Sequence, residues 1–223
     1  MCIRDSIAVI GGSEETVAQM VNRAKAVNSE RVVLVGPDIA SDDGGTMSAV
    51  FAAAAVAAVI AGNTDPSVPI NGAELTLFGA AGKRLSDNEI DQLVRGGVTP
   101  IETVGGVSSP VRGITTKTSS GGAADTTWRE LTTILIVDEV IPTIRSALRT
   151  RFARSKNTAQ SRGAIRSQVV LELEEMKSRE IVDSYGEVLV SALKSDPTVC
   201  LVEFSFTVAH GLNRIYLTAH ITV

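Results

Sequence analysis

Few residues in this chain stand where they could bind or transform a ligand. The sharpest set is Gly11-Gly12, between the apolar run 7–10 and a helical pattern, with Asp38 just past a second apolar run. Backbone N–H groups at a glycine turn opening a helix can hold a pyrophosphate, and a carboxylate after the next strand can bind a ribose hydroxyl. Here the third glycine of that pattern is missing and Asp38 follows Pro37 in a loop, so a plain strand-to-helix turn fits equally. A small α/β nucleotide-binding enzyme is therefore the alternative reading. Asp42-Asp43 could hold a divalent cation or simply line a solvated turn. The two histidines, His210 and His220, have no second ligand at metal spacing. Neither a Gly-x-Ser-x-Gly elbow nor a P-loop occurs. The expectation is a protein that is not an enzyme, with no catalytic residue, cofactor or metal.

Charge gives one strong feature. From Arg145 to Arg166 there are seven basic residues and no acidic one: Arg145, Arg149, Arg151, Arg154, Lys156, Arg162 and Arg166. Three partners fit such a run: nucleic acid, solvent along a helical face, or an acidic surface on a neighbouring subunit. Base-stacking aromatics are not interleaved, with only Phe152 nearby, and the net charge is −4, which argues against nucleic acid. Inter-subunit charge pairing is the preferred reading if the protein assembles.

The elements that would carry these residues follow from periodicity. A length of 223 residues with 44% hydrophobic content suits one large or two small globular domains. Cys2 and Cys200 lie too far apart in sequence to mark a disulfide framework or a metal pair, which points to a reducing compartment. The uncharged 47–62 stretch is too short to cross a bilayer and reads as a buried helix, so no membrane insertion is expected. The first residues lack a signal-peptide pattern. They also fit no element before the abrupt strand at 7–10, which leads us to expect a chain that begins inside a longer native sequence.

Strand 7–10, a helix capped by Ser13 and strand 31–35 predict a βαβ unit with parallel strands. Ser86-Asp87-Asn88-Glu89 and Thr127-Trp128-Arg129-Glu130 are capping boxes. Pro142 should kink the long helical segment after Glu130 or start a new helix. Residues 161–178 form another helix, and 181–193 is ambiguous. The Thr/Ser/Gly-rich stretch 115–124 reads as a domain boundary. The fold class is thus α/β: an N-terminal α/β domain (1–120) with βαβ units, then an α+β C-terminal domain (121–223) with long helices.

The chain closes on two strictly alternating runs. Val202, Phe204 and Phe206 share one side of the first; Ile215, Leu217, Ile221 and Val223 share one side of the second. Gly211 and Asn213 between them suit a turn, which predicts a terminal antiparallel hairpin. A strand pattern that continues to the last residue offers an edge for pairing with another chain, whereas the plainer alternative completes the domain's own sheet.

The ordered segments LSDNEIDQLVRGGVTPIE, VRGITT (111–116), TTWRELTTILIVDEVIPTIRSALRTRF and the terminal strands resemble contractile bacteriophage tail sheath proteins of the subtilisin-like sheath domain family. IAVIGG, AKAVNSERVVLVGP and AAAAVAAVIAG look similar to the same family, so the resemblance runs from Ile7 onward. It implies a structural virion protein that stacks in hexameric rings around the tail tube and contracts to drive the tube through the host envelope. The implied partners are other copies of itself, the tail tube protein, the baseplate and the tail terminator. The implied location is the virion tail, assembled in the host cytoplasm. Family members knit rings together by terminal arms that add strands to a neighbour's C-terminal sheet, and they usually carry more sequence before the first α/β strand. "Subtilisin-like" names the fold only, since no triad is present to carry over.

Overall fold

The computed structural model describes residues 6–12, 14–40, 46–75, 84–213 and 218–220. These fall into two compact units. One holds the described residues of Asp5–Thr64, Val68–Ile134 and Gly211–Val223; the other holds Asp65–Ser67 and Leu135–His210.

In the first unit, β1 (Ala8–Gly11), α1 (Val17–Val27) and β2 (Val32–Gly36) form the expected βαβ unit, with β1 and β2 parallel from Ala8↔Val32 to Gly11↔Val35. Ser13 lies outside the described residues, and the cap of α1 is Thr16. Its hydroxyl accepts from the Gln19 N–H while the Gln19 side chain accepts from the Thr16 N–H. A short antiparallel pair, β3 (Ile39–Ala40) with β4 (Thr46–Met47), leads to α2 (Ala49–Gly62). The Ser86–Glu89 box caps α3 (Asp87–Arg95) as expected. β5 (Val98–Val104) then returns parallel to β2, and β6 (Val107–Pro110) folds back antiparallel through Gly105-Gly106. Both glycines have positive φ, 61° and 86°, as a two-residue hairpin turn requires.

The resulting sheet has the order β1-β2-β5-β6. Val33, Leu34 and Val35 of its second strand are fully buried, the pattern of a strand covered on both faces. Met20 and Ala24 of α1 and Leu93 of α3 pack around Leu34 and Val98. α2 has no polar side chain in its 14 residues and packs on β1 and β2.

The 115–124 stretch, expected to mark a domain boundary, is bonded into this unit. Thr115 and Thr116 are buried; Thr116 donates its N–H to Val32 O and its hydroxyl to Ser29 O. The Asn28 carboxamide accepts from the Thr118 and Ser119 N–H groups, and β7 (Ser119–Ser120) pairs with β8 (Ala123–Ala124). A polar composition is thus absorbed by side-chain-to-backbone bonds. The capping box at 127–130 does not form. Asp125 accepts from the Thr127 and Trp128 N–H groups instead, and Glu130 pairs with Arg112.

The division between units falls inside α4 (Leu131–Phe152), which continues through Pro142 as one helix. The missing proline N–H removes one intrahelical bond without ending the helix. α5 (Ala159–Ser178) starts at the N-cap Thr158. Ile136, Val140 and Ile144, four apart on α4, meet Val169, Leu173 and Met176 of α5, and Ile181, Val182 and Val188 complete the core.

Candidate assembly surface

Four strands cover this helical pair: β9 (Val182–Tyr185), β10 (Leu189–Leu193), β11 (Asp196–Glu203) and β12 (Phe206–Val208). β11 runs antiparallel to β10, with Val190↔Val202 and Ala192↔Cys200, and β12 runs antiparallel to β9, with Phe206↔Tyr185. The Gly186 N–H donates to Ser205 O at 2.9 Å, which joins the two pairs into one bent two-stranded ribbon turning at Lys194-Ser195. The residues left ambiguous by periodicity, 181–193, are therefore the partners of 196–208.

This alters the expected terminal hairpin. Val202, Phe204 and Phe206 pair with or lie beside the preceding strands, and their side chains pack on the core of α4 and α5. The rings of Phe204 and Phe206 stack at 6.2 Å. Ile215, Leu217, Ile221 and Val223 lie outside the described residues, while 211–213 and 218–220 form no strand. The ribbon's outward side is unexpectedly apolar: Leu189 is 51% exposed, Leu193 37%, Val199 42% and Leu201 40%. Its two sheets each have two strands, so among the described residues the outer edges are unpaired.

The basic run wraps the α4–α5 connection. Arg151 donates to the Gln168 side chain, which donates on to Glu172 at 2.7 Å. Arg162 donates to the backbone and side-chain oxygens of Asn157 at 3.3 and 3.1 Å. Arg166 donates to Val188 O at 3.0 Å and lies 3.8 Å from the Glu187 carboxylate. Arg145, Arg149, Arg154 and Lys156 are exposed, and no hydrogen bond or ion pair ties them to another described residue. At the ribbon turn, bonds from the Thr198 hydroxyl and N–H hold the Asp196 carboxyl below its ordinary value. The Tyr185 hydroxyl donates to Glu174, which pushes the phenol upward.

The glycine turn of the first unit is filled with protein. A Cβ on Gly11 would lie 2.2 Å from the Ala49 carbonyl oxygen, and one on Gly12 would lie 2.7 Å from the Glu15 carboxylate. Asp38 Oδ2 accepts from the Glu14 N–H, closing the turn on itself, and Glu15 pairs with Arg23 at 3.0 Å. These contacts favour the plain-turn reading over a phosphate cradle. Asp42 and Asp43 lie outside the described residues. His210 and His220 are exposed, and no metal-holding group of three His, Cys, Asp or Glu occurs among the described residues. No described helix is long and apolar enough to cross a membrane.

Both units together have the fold of contractile sheath proteins. The chain superposes on the sheath tail protein of Listeria innocua with a TM-score of 0.71, at 14% identity over 89% of this chain and 45% of that one. It matches the PVC sheath of an extracellular contractile injection system, solved in the contracted state, with a TM-score of 0.70, at 14% identity over 96% of this chain and 63% of that one. More particularly, residues 123–222 match the phage tail sheath C-terminal domain family. The chain is also 29% identical to the tail sheath protein of Bacillus phage SP01, across 97% of its own length. It spans 38% of that curated relative.

Proposed function

We propose that the chain is part of a structural subunit of a contractile phage tail sheath, which polymerises into stacked rings around a tail tube and shortens to drive the tube through the host envelope. The observation that carries this reading is the match of residues 123–222, the stretch holding all of α4, α5 and the ribbon, to the sheath C-terminal domain. The ribbon supplies the means of assembly, because an unpaired edge offers directional backbone bonds to a strand from a second copy. The strand-forming pattern of Ile215, Leu217, Ile221 and Val223 is the matching donor. Arg145, Arg149, Arg154 and Lys156 supply a charged surface that can pair with acidic groups in two subunit arrangements, so that work is stored in assembly without nucleotide hydrolysis. In this reading the subunit is not an enzyme. Its partners are other copies in hexameric rings, the tail tube protein, the baseplate and the tail terminator. It acts in the virion tail after assembly in the host cytoplasm.

Sedimentation velocity over a wide concentration range tests the reading. Large, concentration-dependent particles are expected from the full reading frame that encodes the chain, and a monomer of that full-length protein that persists at every concentration overturns it.

A further inference from the structure

We propose that Asn157 is a register stop on the ribbon, which confines a strand added from a second copy to the edge at Leu201 and Glu203 and ends it short of Val199. This rests on the strand-addition reading above.

The geometry is specific. The Asn157 carboxamide donates one N–H to Pro197 O at 2.7 Å and the other to Val199 O at 3.2 Å. Carbonyls two residues apart on a strand point the same way, so the amide fills two neighbouring positions on one edge, where an incoming strand would place its own N–H groups. Those residues lie in the irregular part of β11, where the register jumps from Ala192↔Cys200 to Leu193↔Asp196. Beyond it the pairing with β10 is regular, and the same alternation turns the N–H and C=O groups of Leu201 and Glu203 outward. At the far end, Ser205 O is taken by the Gly186 N–H, so the edge closes again at the bend. The open window thus spans Leu201 to Glu203.

The stop is held rigidly. Both amide hydrogens are used, and Asn157 Oδ1 accepts from Arg162 Nη1 at 3.1 Å while the same Nη1 donates to Asn157 O. The next residue, Thr158, caps α5 through Ser161. Beside the window, exposed Leu189, Val199 and Leu201 give the alternate apolar side chains of an added strand a surface to cover. The 214–223 segment of a second copy has that alternation.

The test is residue-resolved amide hydrogen exchange of the protein with and without a synthetic peptide of residues 212–223. In the wild type, exchange at Leu201 and Glu203 should slow by about tenfold or more, with Val199 unchanged. In Asn157→Ala the slowed window should extend to Val199. Asn157→Ser is read in parallel, so that loss of the fold in one variant does not remove the comparison. Protection of Val199 in the wild type, an unchanged window in both variants, or no protection at Leu201 and Glu203 would each overturn the proposal. Because the peptide is supplied from outside, a full-length protein that stays monomeric in sedimentation while the window appears would sink the sheath reading and leave the stop intact.

Discussion

At Gly11 the constraint is close packing. Its missing Cβ leaves room for Ala49, whose carbonyl oxygen would stand 2.2 Å away and whose own Cβ would stand 2.6 Å away. Backbone on the first turn of a helix cannot step aside as a flexible side chain can. Gly11→Ala is therefore expected to cost about 1–3 kcal/mol by overpacking, read as a lower midpoint in thermal denaturation. Millimolar ATP or NAD should leave the wild-type midpoint unchanged, since only a ligand that binds the folded state raises it. Asp196 gives a second prediction at this scale. Its folded-state pKa lies below the ordinary 3.8 because Thr198 bonds the ionised form. The stabilisation it lends the ribbon turn is then present above the ordinary value and is lost as pH falls through the lower, folded one. NMR titration of the Asp196 carboxyl should give a midpoint below 3.8; one at or above it contradicts the turn geometry.

At the scale of elements, helices were legible in sequence and strand partners were not. Ser86 with Glu89, and Val169, Leu173 and Met176 at helical spacing, mark α3 and α5 because their signals are local. Alternation in 200–208 predicts a strand but says nothing about which strand lies beside it. The true partner was hidden because Gly186-Glu187 interrupts its pattern, and because Leu189 and Leu193 put apolar groups on the outward side. The contacts of the 115–124 stretch were hidden for a related reason: composition does not show that Thr116 and Asn28 bond to distant backbone. Leu173 of α5, fully buried in the core shared with α4 and the ribbon, anchors the second unit; Leu173→Ala should cost about 2–5 kcal/mol in denaturant unfolding. Leu201→Pro probes the edge instead. It removes an outward N–H while leaving the bonds to β10, so it should abolish assembly and leave the thermal midpoint nearly unchanged. A large loss of stability would show that this N–H faces β10.

At the scale of the whole molecule, the resemblance was carried by the order of many weak segments, and the fold match and the family match over 123–222 now stand beside it. The basic run divides into two groups that sequence could not separate. Arg151, Arg162 and Arg166 fasten the unit to itself, whereas Arg145, Arg149, Arg154 and Lys156 remain available to a neighbour. Replacing Arg145 and Arg149 together by Glu should change stability by less than about 1 kcal/mol, as exposed charges do. Assembly should weaken markedly, and raised salt should weaken the wild type in the same direction.

The most direct measurement is negative-stain electron microscopy of the purified protein at high concentration, expressed both as this chain and within the full reading frame that encodes it, each with its Leu201→Pro counterpart. The account predicts tubes or stacked rings from the full reading frame and none from its Leu201→Pro variant. Monodisperse particles from the unsubstituted full-length protein would contradict it.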